Sequence, residues 1–276
     1  MKNSAAAGSL CQIRARNGLP PRVLLAEDSL AARILTAALL RRMGCEVDEA
    51  EHGEEAVHAA TASHYDVIIL DIEMPVMDGL AAAAAIRDLG GDKGATPLVA
   101  LSAFLADSAQ SRHWLSLFDL THAKPASREG LRHAVEAMLE LNKREPETPA
   151  ALTTAPAMVS IPDRLIDHAA IEQMQQQFPP DDWQMLMNSA VGEMLDSFEA
   201  IARALALQDT ATIQSHSHRV KGLARTFAAP RLATTAELLE THAAKPIPHS
   251  SLNSGVEDLR SCLNRTVCEL RILSAA

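Results

Sequence analysis

A chain of 276 residues, 47% of them hydrophobic, has the length and apolar content for about two globular domains, each with its own core. Acidic residues outnumber basic ones on both sides of Glu145, giving a formal net charge of −10, and aromatic residues make up 3%; neither half offers the basic, stacking surface that nucleic-acid binding requires. No run reaches the ~18 consecutive apolar residues of a membrane span, the run Ala5 to Ala7 lacks the hydrophobic segment of a signal peptide, and Cys11, Cys45, Cys262 and Cys268 are not spaced as a zinc or redox pair. A cytoplasmic protein with reduced, structural cysteines is the expectation.

Residues 1–20 show no periodicity and read as a flexible tail, with ordered structure starting near Arg22. Val23 to Ala26 form an apolar strand that ends in Glu27 and Asp28. Leu35, Leu39 and Met43 then recur at helical spacing up to Gly44. The pattern repeats: a strand at Glu46 to Ala50, a helix at Glu54 to Ser63, and the run Val67 to Leu70 ending in Asp71. Four apolar residues in a row suit a strand buried on both faces of a parallel sheet. Pro75 and Asp78-Gly79 stop it and turn the chain. An alanine-rich helix at Leu80 to Leu89, a flexible Gly90 to Gly94, a strand at Leu98 to Leu101 ending in Ser102, a strand around Phe118 to Thr121 before Lys124-Pro125, and a helix from about Ser127 to Lys143 complete a domain at 21–144. Alternating strands and helices imply a doubly wound parallel sheet.

In such a sheet the strand ends deliver Glu27, Asp28, Asp71 and Ser102 to one edge, with Lys124 just beyond the fifth strand. Three crowded carboxylates repel unless their pKa values rise or a divalent cation binds. Oxygen donors with few protein ligands favour Mg²⁺, which keeps waters and meets phosphates. A nucleophilic carboxylate, a metal, a lysine and a hydroxyl suit phosphoryl transfer: Asp71 attacks, Mg²⁺ and Lys124 neutralise charge, and Ser102 hydrogen-bonds a phosphoryl oxygen.

These residues, with the segment D-I-E-M-P-V-M-D-G from Asp71 to Gly79, resemble a response-regulator receiver domain over residues 22 to about 143. The resemblance implies a flavodoxin-like fold with strand order 2-1-3-4-5, phosphoryl uptake by Asp71 from a phosphohistidine, and Mg²⁺ held by Glu27, Asp28, Asp71 and the backbone carbonyl of Glu73. Three residues before Lys124 the family often has an aromatic that reports phosphorylation; Thr121 stands there, and its neighbour His122 reads as a solvent-edge histidine.

Residues 145–162, rich in proline, threonine and alanine, read as a linker. Helical patterns fill 163–276. Ala169 to Phe178 ends at Pro179-Pro180, and Asp181 or Asp182 is expected to cap a helix to about Gln208. Further helices run from Thr210 to Phe227, from Pro230, and from about Leu252 to Leu273, so an all-α four-helix bundle is expected. In the third of these five helices Ile213, Ser217, Val220, Ala224 and Phe227 form the buried stripe. His218 falls on the other side, with Gln214, Lys221, Gly222 and Arg225 as helix neighbours, which predicts an exposed imidazole in a polar, basic strip. Gly222, unfavourable inside a helix, suggests that a partner approaches the backbone closely. Neutral imidazole is a nucleophile near neutral pH, and Lys221 and Arg225 are placed to hold phosphoryl oxygens. His216 reads as structural.

The string H-R-V-K-G-L-A-R, with A-E-L-L-E downstream, resembles a histidine phosphotransfer (HPt) domain over about Asp163 to Arg271. Val220 stands for the usual Leu, and Leu223 for a commoner small residue. The two resemblances together imply a phosphorelay protein: an upstream histidine kinase loads Asp71, and His218 exchanges phosphate with the receiver of a response regulator. Length and motifs leave no ATP-binding kinase domain, so no autophosphorylation from ATP is expected. The rival readings are a phosphate sink draining a regulator backwards, a docking module that carries no phosphate, and the receiver-HPt part of a hybrid kinase, against which Met1 argues weakly.

Overall fold

The computed structural model describes residues 12–15, 17–102, 117–124, 128–141, 164–245 and 249–274. They form two compact units, one built on a sheet and one on long helices. The expected linker at 145–162 lies outside the described residues.

Five parallel strands, β1 (Arg22–Ala26), β2 (Glu46–Ala50), β3 (Val67–Asp71), β4 (Leu98–Ser102) and β5 (Leu120–Ala123), lie in the order β2-β1-β3-β4-β5. Alternation along each strand fills both faces. Leu24, Ala26, Ile68, Leu70, Leu98 and Ala100 pack with the helices α2 (Gly53–Ala62) and α3 (Gly79–Asp88). Val23, Leu25, Val67, Ile69, Val99 and Leu101 point the other way and are also buried, so the central strands need no polar positions before their ends. Helix α1 (Leu30–Arg42) follows β1, and Gly91–Gly94 forms a short helix, α4, where a flexible glycine segment was expected. Arg87 secures its end, donating to Gly94 O and, beyond the helix, to Thr96 O, and pairs with Asp119. β5 begins two residues later than the expected Phe118, because Phe118 itself turns into the core beside α2 and α3. Helix α5 (Arg128–Leu141) packs on β3 and β5.

The expected disordered start at 1–20 needs correction. Ile13 and Ala15 are buried, and Ile13 N–H donates to Met43 O, so the chain already packs on the end of α1 before Pro20. Residues 1–11 and 16 are not described.

The turn after β3 is tightly constrained. Asp78 caps α3 by accepting from Ala81 N–H at 2.8 Å, and Gly79 N–H donates to Ile72 O at 2.9 Å. A Cβ on Gly79 would collide with the Asp71 carbonyl oxygen. Gly79→Ala is therefore expected to destabilise this unit by about 1–3 kcal/mol, as overpacking does, with loss of Asp71 alignment. A thermal unfolding midpoint equal to that of the unaltered protein would contradict this.

The helical unit begins with α6 (His168–Gln175), capped by Asp167. Helices α7 (Pro180–Leu207), α8 (Thr210–Thr226), α9 (Pro230–Ala243) and α10 (His249–Ser274) follow; α7 packs on α8, α8 on α9, α9 on α10, and α10 back on α7. Trp183, Met194, Ile201, Ile213, Val220, Phe227, Leu232, Leu239, Leu259 and Leu263 fill the centre. Pro180 rather than Asp181 or Asp182 opens α7: its missing N–H lies where no helical acceptor exists, and the two aspartates fall in the first turn, favourably placed at the positive end of the helix dipole. Asp209 caps α8 by accepting from Thr212 N–H. Leu223 is buried in the core. Cys45 and Cys262 are buried and Cys268 is exposed, all three as thiols; Cys11 lies outside the described residues.

Candidate functional site

The sheet unit brings its predicted polar residues together at the carboxyl edge of the strands. Asp71 is the last residue of β3, and Glu27 and Asp28 follow β1, its hydrogen-bonded neighbour. Carboxylate oxygens of Glu27, Asp28 and Asp71 lie within 4.8 Å of one another. Lys124, just after β5, places Nζ 2.6 Å from Glu27 Oε2 and 2.8 Å from Asp71 Oδ2. Ser102 ends β4 opposite Ala123, one position beyond the Leu101 that pairs with Asp71, so its backbone sits at the same edge. Its side chain and Pro125 lie outside the described residues. Glu73 is exposed, and its N–H donates to Asp71 Oδ1 at 3.4 Å.

Burial sets the electrostatics. Desolvation pushes Glu27 up to about 8, against the pull of Lys124 and with the push of Asp71 and Asp28. Asp71 is also raised, chiefly by burial, with Lys124 opposing. The Lys124 ammonium is favoured: burial alone would lower its pKa, but Asp71 and Glu27 raise it. Such a pocket takes up positive charge, and three oxygen donors on one side suit a hard divalent cation that retains waters.

The sign of the linkage follows. Glu27 holds its proton more tightly folded than unfolded, so its stabilising contribution is present below the unfolded value of 4.5 and is lost as pH rises through about 8. Without divalent cation, the unfolding midpoint is expected to fall between about pH 5.5 and about pH 8.5, and Mg²⁺ is expected to raise it most at the upper end. Thermal melts of the unaltered protein and Glu27→Gln, with and without Mg²⁺, check this; identical pH profiles for the two proteins would contradict it.

In the helical unit, His218 sits on α8. Its Nδ1 lies 2.8 Å from Glu240 Oε1 on α9. Lys221 corrects the sequence reading: it is 2% exposed, and its Nζ is 2.7 Å from Glu240 Oε2. The lysine turns inward because the next helix supplies a carboxylate, which a single-helix wheel does not show. Arg225 Nη2 pairs with Glu237 at 3.2 Å. Burial pushes the Glu240 carboxyl up, but the hydrogen bonds from His218 and Lys221 outweigh it and hold Glu240 below its usual range. Gln214 is exposed. Among the described residues a Cβ on Gly222 would meet nothing within 4 Å, so no packing among them accounts for this glycine. Glu240 was missed as a site residue although the A-E-L-L-E segment was noted; its signal is a carboxylate on a helix following the histidine helix by one short turn.

The remaining histidines differ from these. His216 has a lowered pKa from burial, reinforced by Arg219 and Arg203, and its buried Nδ1 has no hydrogen-bond partner among the described residues, in keeping with a structural residue. His122 is half-buried rather than at a solvent edge; burial lowers its pKa, as does His133.

Residues 23–136 match the response regulator receiver domain and residues 185–267 the Hpt domain. The chain thus carries a receiver domain followed by an Hpt domain, the pair of modules that supports phosphorelay signalling. It is 29% identical over 259 residues to the sensor protein GacS of Pseudomonas syringae pv. syringae, covering 92% of this chain and 28% of that protein. With the sensor histidine kinase GacS of Pseudomonas protegens the identity is 28% over 225 residues, covering 80% of this chain and 24% of that protein. The chain therefore spans roughly a quarter of these curated relatives. The receiver domain of sensor histidine kinase PA1611 from Pseudomonas aeruginosa PAO1, whose crystal structure has a magnesium ion coordinated in the active-site cleft, is 29% identical, with coverage of 44% of this chain and 98% of that chain and a TM-score of 0.40. Among the described residues no helix is long and apolar enough to cross a membrane.

Proposed function

We propose that Asp71 accepts a phosphoryl group from the phosphohistidine of a histidine kinase and that His218 carries one to or from a receiver domain, in the cytoplasm. The observation that carries the reading is the Lys124 ammonium held between Glu27 and Asp71 in a buried acidic pocket, which pairs a nucleophile with a cation for the phosphoryl oxygens. Asp71 Oδ attacks phosphorus while the phosphorus–nitrogen bond of the donor breaks, and the leaving imidazole keeps the electron pair and takes a proton. Lys124 offsets charge on the transferring group, and the Ser102 hydroxyl donates to one of its oxygens. Glu27, Asp28, Asp71 and the Glu73 carbonyl would hold Mg²⁺, which when bound supplies further neutralisation of phosphoryl charge.

At His218 the imidazole donates from Nδ1 to Glu240, which leaves the lone pair on Nε2 to attack the acyl phosphate of a receiver, whose carboxylate departs. Lys221 acts through Glu240 as a positioning residue, not on the phosphoryl group directly. Gly222 and Gln214 lie on the side where a partner approaches. Acetyl phosphate with Mg²⁺ should put alkali-labile label on the unaltered protein and none on Asp71→Asn; equal labelling of both removes Asp71 from its role. Similarity to GacS favours a second setting for the same chemistry, the receiver-Hpt portion of a hybrid sensor kinase.

A further inference from the structure

Helix α2 is capped at its N-terminus by His52, whose Nδ1 accepts from the Glu55 N–H at 3.3 Å, where serine, threonine, aspartate or asparagine usually supplies an oxygen. A ring nitrogen accepts only while it carries no proton, so this cap exists in the neutral imidazole alone. The other nitrogen asks for the opposite state: Nε2 lies 3.7 Å from Glu55 Oε1, a contact that gains when the ring is protonated. One ring thus faces both the backbone and the carboxylate of Glu55, and its charge selects between them. Histidine is the side chain whose charge changes near neutral pH.

On the same segment Glu51, Glu54 and Glu55 are acidic, and Glu55 Oε2 also accepts from the Glu51 N–H at 2.8 Å. From α3 and the loop before it, Met77 and Ala82 meet Gly53; neither titrates, and Asp78 beside Met77 is engaged as the α3 cap. β1 packs with α2 through Leu24 and Ala26, with Glu27 and Asp28 after them at the sheet edge. The turn is tied to the acidic pocket on two sides. Gly53 N–H donates to Met77 O at 3.0 Å, and a Cβ on Gly53 would collide with that oxygen, so α2 presses on the loop that leaves Asp71. Glu27 N–H donates at 3.2 Å to the carbonyl of Ala50, shortly before the cap.

We infer that His52 is a proton-sensitive cap: protonation releases the first turn of α2 and with it the hold on Met77, so that phosphoryl uptake by Asp71 weakens as the pH falls from about 7.5 to about 5.5. The inference rests on Asp71 being the phosphoacceptor. Glu27 and Asp71 also change protonation with pH, so variants are compared at each pH. His52→Asn keeps an acceptor that does not titrate, and His52→Ala has none. In the full chain, protection of the Glu55 amide from hydrogen exchange should fall about fivefold or more in the unaltered protein between about pH 7.5 and about pH 5.5, the ratio that loss of an N-cap corresponds to. It should stay level in His52→Asn and be low at both values in His52→Ala. Labelling from acetyl phosphate and Mg²⁺ should be equal for the unaltered protein and His52→Asn at about pH 7.5, and slower in the unaltered protein by about twofold or more at about pH 5.5. His52→Ala should already show that loss at the higher pH. Matching exchange profiles for the unaltered protein and His52→Asn overturn the inference. So does a loss of protection that leaves the ratio of their labelling rates unchanged, which would confine the titration to the helix end. Failure of the unaltered protein to label at either pH removes the phosphoacceptor reading itself, and the inference with it; the exchange profiles need no phosphoryl chemistry and tell that failure from a failure of the cap.

Discussion

Lys124→Ala is expected to slow phosphoryl uptake by Asp71 by about a hundredfold or more, the scale seen when one charge-stabilising donor is removed from a water-poor site. Two effects combine. The ammonium that faces the transferring oxygens is gone, and Asp71 and Glu27 lose the cation that now opposes their desolvation. Both carboxyl pKa values therefore rise further, and less Asp71 is ionised to attack. Stability should follow with a definite sign. A raised folded pKa stabilises at low pH and loses that contribution as pH rises, so the variant should be destabilised little near pH 5 and by about 3–5 kcal/mol where the buried carboxylates are forced to ionise. Urea unfolding at both pH values, beside labelling rates from acetyl phosphate, checks the pair of effects. A variant that labels normally would show that the Lys124 contacts are structural only.

Glu240→Ala is expected to cut phosphoryl exchange at His218 by about tenfold to a hundredfold and to destabilise the helical unit by about 2–3 kcal/mol. The carboxylate holds the imidazole by Nδ1 and is also the acceptor for a lysine that is almost wholly buried. Removing it releases the ring tautomer and removes a charge-assisted partner from Lys221. Glu240→Gln separates the two roles, since an amide oxygen can accept one of the two hydrogen bonds but carries no charge. It should retain most of the stability while the pH profile of transfer at His218 shifts, because the imidazolium loses a neighbouring anion. Identical pH profiles for Glu240→Gln and the unaltered protein would make Glu240 a purely structural residue.

What the sequence revealed, and what it hid, divides along physical lines. Strand ends were legible because a buried parallel strand is an unbroken apolar run, and the first polar residue after it marks the sheet edge; Glu27, Asp28, Asp71 and Ser102 all follow this rule. β5 was displaced because Phe118 is apolar for a different reason, packing in the core before the ladder begins. α4 was missed because a glycine-rich segment carries no helical pattern of its own and is held by Arg87 from another element. The stripe of α8 was correctly read from Ile213 to Phe227, since it depends on one helix alone. Lys221 was misplaced because its partner Glu240 comes from the next helix, and pairing across helices leaves no periodic trace. The left-handed φ of Val76 was invisible too: positive φ on a β-branched residue is something the sequence argues against.

Transfer from a phosphorylated donor kinase, with Mg²⁺, to the unaltered protein, Asp71→Asn and His218→Gln is the most direct test of a receiver and an Hpt domain acting in relay. Alkali-labile aspartyl label and alkali-stable histidyl label are scored separately. In a relay, aspartyl label precedes histidyl label in the unaltered protein, no histidyl label forms in Asp71→Asn, and aspartyl label alone forms in His218→Gln. Histidyl label that appears at full rate in Asp71→Asn would contradict a relay and leave two independent phosphotransfer modules on one chain.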